Sequence, residues 1–305
     1  MEIVERCTKV KNDFFFNNTQ INTDISNLIG NKSYNTFLLN SKGFNVPKSI
    51  YLSTKLFDIY TSNDIANFDK IILMLKDYLY SNNFSNSLSI RSSAILFDNN
   101  GKIIKEDSET LSMAGWFKSN LNVSINNIKE AIIDCYSIIE SNILKQNIEN
   151  HFHSYLKIKI ALLVQDFYEA KKSAVIFTKN QYSYYKGSFL INSTYGACNG
   201  LVSGEITGDT YWLNRNNSLV IKKHISKKNK MYINNFKDII LVEVPQNIQD
   251  EESLSSNDIK YLFNLGISIE NAFNFPQDIE LIYNPSNGWI VVQTRPINYW
   301  RDNND

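Results

Sequence analysis

Near the end of the 305-residue chain, Glu280, Gln293 and Arg295 lie in two apolar-rich segments, Asp278 to Asn284 and Trp289 to Arg295, separated by Pro285-Ser-Asn-Gly288. Proline followed by glycine between two such runs is turn chemistry, so the segments are predicted to pair as an antiparallel hairpin. A symmetric closure pairs Asn284 with Trp289. That register carries Glu280 opposite Gln293 and leaves Arg295 two residues on, on the same face. A carboxylate, an amide and a guanidinium then project into one cleft. Such a set suits a magnesium-bound triphosphate, in which oxygens ligate the metal, cations meet the phosphates and flexible backbone covers them. By periodicity alone a Glu and an Arg on neighbouring strands are more often an ordinary surface pair.

The elements that position these residues are legible in outline. Asn27 to Gly43 carries Tyr34, Phe37 and Leu38 at helical spacing, with entry through Gly30-Asn31-Lys32 and Gly43 as C-terminal cap. A second amphipathic helix is expected from Ile65 to Tyr80, then a short strand, Ser87 to Arg91, whose end delivers Arg91. Asp98-Asn-Asn-Gly101 predicts a hairpin within Ile95 to Lys105. Glu106 to Gly115 reads as a mobile polar loop, and Ser124 to Leu144 as one long helix with Ile125, Ile128, Ile132, Tyr136, Ile139 and Ile143 on one face. From Ile158 the pattern turns to strands, interrupted by a helix from Asn257 to Phe273 capped by Ser255 or Ser256. The second half is therefore sheet-dominated.

Composition narrows the function. With 43% hydrophobic residues the chain can bury one large core or two smaller ones. Formal net charge is zero, which disfavours a general nucleic-acid or anionic-membrane binder. No run approaches the roughly 18 to 20 apolar residues of a membrane span, and Met1 to Asn12 is too charged for a signal peptide. Cys7, Cys135 and Cys198 fit neither a zinc site nor a redox pair, so a reducing cytoplasm is expected. His151 and His153 have no partner at ligand spacing and are assigned no chemistry. The basic cluster Lys222, Lys223, His224, Lys227, Lys228 and Lys230 reads as a solvated loop, with a docking surface for an acidic partner as the alternative.

Read together, the motifs resemble the nucleotide domain of phosphoenolpyruvate synthases, pyruvate phosphate dikinases and rifampicin phosphotransferases. Gly30-Asn-Lys32-Ser and Gly43-Phe-Asn-Val-Pro47 are similar to that family's GGKG and GxxVP, and Ser89-Ile-Arg91-Ser-Ser-Ala94 to its VRSSA. Glu106-Asp-Ser, Ser112-Met-Ala-Gly115 and Leu121-Asn-Val123 resemble ED, SFAG and LNV. Val164-Gln165, Ala174-Val-Ile-Phe-Thr178 and Val202-Ser-Gly204-Glu-Ile-Thr-Gly-Asp209 resemble the VVQ hinge, GVMFT and VSGxVTPD. Pro276-Gln-Asp-Ile-Glu280 and Gln293-Thr-Arg295-Pro296 are close to PQDIEW and QxRP. These matches run in order from about residue 26 to 297.

The resemblance implies a two-lobed α+β ATP-grasp fold with ATP and Mg2+ between a phosphate-binding lobe, residues 1–165, and a sheet-rich lobe, residues 166–305. It implies phosphate contacts for Lys32 and Arg91, magnesium ligation by Glu280 and Gln293, and charge neutralisation during transfer by Arg295. Backbone N–H groups of Ser112, Ala114 and Gly115 would close over the phosphates. Gln165 and Asp166-Phe167-Tyr168 would hold adenine at the hinge, with a buried amide at a strand end as the equal alternative for Gln165 itself. Departures are Asn31 and Ser33 for glycines, Gly196-Ala-Cys-Asn199 for GLGE, Gly208 for proline and a longer spacer from Ile95 to Lys105. No TSH tripeptide occurs, so the phosphoryl acceptor is expected to be a histidine on a separate protein or a small molecule. An ATP-grasp ligase and a non-catalytic nucleotide-binding module are the alternatives.

Overall fold

The computed structural model describes residues 13–20, 25–106, 113, 115–152, 156–181, 184–235 and 238–297. Thus Cys7, the charged N-terminus, Ser112, Ala114, His153 and the side chain of His151 lie outside the described residues. The architecture is α+β, built on two antiparallel six-stranded sheets and a two-stranded hairpin.

The first sheet takes strands β1 (Phe15–Phe16), β2 (Ser49–Leu52), β3 (Ser87–Phe97), β4 (Ile103–Lys105), β5 (Ser119–Ser124) and β6 (Lys157–Asp166). Their order is β1-β2-β6-β3-β4, with β5 also pairing β3. Helix α1 (Ser26–Ser41) lies between the sheets, whereas α2 (Thr54–Thr61), α3 (Ile65–Ser81) and α4 (Ile128–Ser137) supply apolar faces to the first sheet. Ile90, Leu162 and Val164 meet Leu56, Leu75 and Ile132 there, all fully buried. The opposite face of β3 carries Ser89 and Arg91, so alternation alone sends the arginine away from this core.

The long helix expected from Ser124 to Leu144 is broken. A 3-10 turn, Ile125–Asn127, leads into α4, a second turn follows at Ile138–Glu140, and Ser141 is extended before α5 (Asn142–Phe152). Ile143, placed on the buried stripe by periodicity, is 70% exposed, while Leu144 and Ile148 join Ala94, Leu96 and Met113 in a separate cluster. Re-aiming the chain covers that second apolar patch. β3 also outruns the short strand read from the sequence, because it continues into the Asp98–Gly101 hairpin with β4.

The second sheet is ordered β10-β9-β8-β7-β13-β14, from β7 (Lys172–Phe177), β8 (Phe189–Tyr195), β9 (Asp209–Leu213), β10 (Val220–His224), β13 (Gln277–Asn284) and β14 (Gly288–Pro296). A short helix, α6 (Asn199–Ser203), follows β8, and β11 (Lys230–Asn235) pairs with β12 (Asp238–Glu243) apart from the sheet. The basic cluster does not form one solvated loop. Lys222, Lys223 and His224 belong to the exposed edge strand β10, but Lys228 is fully buried in an ion pair with Asp209 at 2.6 Å. A carboxylate 19 residues earlier in sequence draws it inward, a pairing that local composition does not reveal.

Helix α7 (Ser256–Phe273) packs on this sheet and starts with a capping box between Ser255 and Asp258. Asp258 also accepts from Lys172 Nζ at 2.6 Å and Trp289 Nε1 at 3.0 Å, tying the helix to β7 and β14. Burial pushes its carboxyl up, but the hydrogen bonds from Lys172, Ser255 and Trp289 outweigh that and bring it down to about 2. A depressed carboxyl contributes stability above its unfolded value near 4 that is lost as pH falls through its folded value. Asp258→Asn is therefore expected to melt below the parent at pH 7, with the gap closing between about pH 4 and 2 in a pH series of thermal melts.

Candidate functional site

A cavity of about 680 Å³ opens between the two sheets. Its floor is set by how α1 arrives. Gly30 breaks the helix with φ 73° and ψ 167°, and an added Cβ there would stand 2.4 Å from Ser93 Oγ and 2.7 Å from Ser93 O. Only glycine permits both this backbone and this approach. The contact puts Lys32 over β3, where its Nζ donates to Ser92 O at 2.8 Å and to Glu106 Oε1 at 2.6 Å. Gly30→Ala is expected to cost roughly 1–3 kcal/mol of stability, read by urea denaturation, because strain and overlap coincide.

Opposite stands the β13–β14 hairpin, closed otherwise than the symmetric turn supposes. Asn284 pairs with Gly288, whose φ is 70°, around the three residues Pro285 to Asn287. A bulge then shifts the register between Glu280 and Leu281, so Glu280 does face Gln293 and Asp278 faces Arg295. The bulge changes which residues share a face. Ile290 and Val292 point with Ile282 into an apolar cluster, and beyond the extra residue Gln293 and Arg295 point to the same side. Strict alternation would have split these two pairs between opposite faces.

Arg91 crosses the cavity from the first sheet. Its Nη1 lies 3.4 Å from Gln293 Oε1 and 3.6 Å from Glu280 Oε2, while its Nε is buried without a hydrogen-bond partner. Arg295 donates from Nε and Nη2 to Asp278 Oδ2 at 2.9 and 2.7 Å. Each of the three cations is thus matched by a carboxylate, namely Glu106, Glu280 and Asp278. Lys32, Arg91, Glu280, Gln293 and Arg295 all line the one cavity. A smaller adjoining cavity of about 210 Å³, walled by Val175, Phe177, Asn192 and Leu201, shares Glu280 and Arg295.

The hinge residues divide. Asp166, Phe167 and Tyr168 line the cavity. Gln165 does not; it is buried beneath, with Nε2 donating to Ser49 Oγ at 3.3 Å and Oε1 unpartnered. Gly115 lines the cavity with φ 77°, and Ser112 and Ala114 are outside the described residues. Burial and the neighbouring Glu280 push the Cys198 thiol well up, which keeps it protonated at the cavity wall.

Other lining residues were not singled out from the sequence. Tyr232, Asn234 and Ile239 of the β11–β12 hairpin close one end of the cavity. The hairpin is held by Gly196, where an added Cβ would meet Tyr232 O at 2.2 Å, and by Asn122 Nδ2 donating to Asn234 Oδ1 at 2.6 Å. Those contacts span long sequence distances and leave no local signal. Asp278 was within reach: the register that pairs Glu280 with Gln293 also pairs it with Arg295. Among the described residues no group of three acidic, histidine or cysteine side chains forms a metal cage, and no helix is long and apolar enough to cross a membrane.

The chain is similar to several known proteins. A probable phosphoenolpyruvate synthase of Methanocaldococcus jannaschii is 30% identical over 194 residues, covering 63% of this chain and 16% of that protein. An uncharacterized phosphotransferase of Bacillus subtilis is 25% identical over 288 residues, covering 89% of this chain and 34% of that protein. The chain therefore spans between about a sixth and a third of the length of these relatives. Among solved structures, D-cycloserine synthetase DcsG covers 90% of this chain and 64% of its own at 6% identity with a TM-score of 0.38, a likeness too slight to argue from. The family description "Pyruvate phosphate dikinase, AMP/ATP-binding domain" matches residues 64–305, most of the chain, and the protein belongs to that family.

Proposed function

We propose that the chain binds MgATP in the inter-sheet cavity and transfers a phosphoryl group, either to a histidine on a partner protein or directly to a small acceptor. The observation that carries this reading is the convergence of Arg91 from one sheet with Glu280 and Gln293 from the other, beside Lys32 and Arg295. Two lobes contributing opposite charges to one gap is what a metal-triphosphate requires.

The donor set fits magnesium. Glu280 and Gln293 offer one carboxylate and one amide oxygen side by side, and this ion takes one or two protein oxygens with the rest from phosphates and water. Held there, it would neutralise phosphate charge during transfer. Lys32 and Arg91 bind phosphate oxygens from the first lobe, Arg91 with a planar fork and Lys32 as a point charge. Arg295 neutralises charge that builds on the transferred group. Adenine lies toward Phe167 and Tyr168 of the cavity lining. The acceptor approaches through the smaller cavity that shares Glu280 and Arg295. The two lobes meet near residue 165, and a cytoplasmic setting goes with two buried free thiols, Cys135 and Cys198.

Incubation with magnesium and radiolabelled ATP, with and without cell extract, tests this function. Release of AMP marks a dikinase-like route and ADP a simple kinase. Nucleotide that binds but never turns over, with no labelled acceptor in any extract, rules the transferase out.

A further inference from the structure

The phosphate-site reading leaves Glu106 unexplained, although it is the most enclosed charge beside the cavity. It is 2% exposed, and its two oxygens serve different donors: Oε1 takes Lys32 Nζ at 2.6 Å and Oε2 takes the Ala94 backbone N–H at 2.7 Å. Only a carboxylate can accept on both sides at once; an amide would aim its own N–H at a donor. Lys32 is anchored a second time by Ser92 O, at 2.8 Å. Glu106 thus joins β3, the end of β4 and the lysine of α1.

We infer that Glu106 is the positioning residue for Lys32, fixing its ammonium at the cavity floor so that phosphate comes to the lysine rather than the lysine to phosphate. A lysine side chain is a flexible four-carbon stem, and its charge is effective only where it is held. With Lys32 withdrawn toward a distant ligand, Glu106 would be left as a buried carboxylate without its counter-charge, which opposes that movement. The ligand class is the polyphosphate of a nucleotide, and the inference rests on the proposed phosphate contact of Lys32.

The test compares the parent, Glu106→Gln, Lys32→Met and the double variant by titration calorimetry with MgATP and with adenosine, which lacks phosphates. Glu106→Gln is expected to weaken MgATP by about tenfold, the lower range for an outer-shell partner, while adenosine affinity stays within about twofold. Added to Lys32→Met it should cause no further loss, since it acts through the lysine. Unchanged or tighter MgATP binding by Glu106→Gln overturns the inference, as do equal losses for MgATP and adenosine or full additivity with Lys32→Met. If Glu106→Gln does not fold, Glu106→Asp keeps the charge but is one methylene short of spanning both donors; it should fall below the parent for MgATP alone, and parental affinity overturns the inference. A parent protein that takes up no MgATP would overturn the phosphate-site reading itself, a result separable from all of these.

Discussion

A Glu280→Gln protein is expected to bind MgATP about 30- to 4,000-fold more weakly than the parent, yet to bind metal-free ATP no worse. The first half follows from removing the carboxylate that the proposed function assigns to magnesium beside Gln293, since loss of a mostly buried charged partner costs roughly 2–5 kcal/mol and each 1.4 kcal/mol is about tenfold. The second half follows from Arg91. Its guanidinium stands 3.6 Å from Glu280 Oε2, so a neutral residue there leaves it freer to engage phosphate. Calorimetry with excess magnesium and then with a chelator separates the two arms. A parallel loss in both would mean that Glu280 supports the fold of the hairpin rather than the metal. Parental affinity in magnesium would remove Glu280 from the site altogether.

How much of this was legible depends on the range of the interaction. Signals within a few residues read well: Gly43 closes α1 in a left-handed conformation with Phe44 N–H donating to Leu39 O, and Ser255 caps α7. The hairpin was legible in composition but not in mechanism. A three-residue turn and a bulge, each displacing the pairing by one residue, together return Glu280 to Gln293, and the symmetric closure reached the same pair by neglecting both. Its alternation rule could not foresee Val292 and Gln293 facing the same cavity. Gln165 was open to two readings, a hinge amide for adenine by family resemblance or a buried amide at a strand end, and its side chain is sealed beside Ser49. Charge partners were least legible. Lys32 and Glu106 are 74 residues apart and Arg91 and Glu280 farther still, so only the folded topology pairs them.

The other large effect is on stability, at Asp209 and Lys228, and it follows from the same long-range blindness. Both side chains are fully buried, and the carboxylate is saturated: Oδ1 accepts from Lys228 Nζ at 2.6 Å and Ser226 N at 3.1 Å, and Oδ2 from Ser253 N and Oγ, both at 2.7 Å. Lys228 Nζ also donates to Ser226 O at 2.8 Å. The pair therefore binds together the start of β9, the segment leading to β11 and the chain just before α7. Lys228→Met keeps the length and apolar character of the stem but leaves a buried carboxylate without its counter-charge, an arrangement expected to cost about 3–5 kcal/mol in urea denaturation. Asp209→Asn combined with Lys228→Met should recover part of that loss, because neither charge is then stranded. Were the cost instead the missing packing of an ammonium group, the double variant would be no more stable than Lys228→Met alone. Because β11 carries Tyr232, which is docked on Gly196 and closes one end of the cavity, the single variant should also release nucleotide faster than a surface substitution of equal thermal effect.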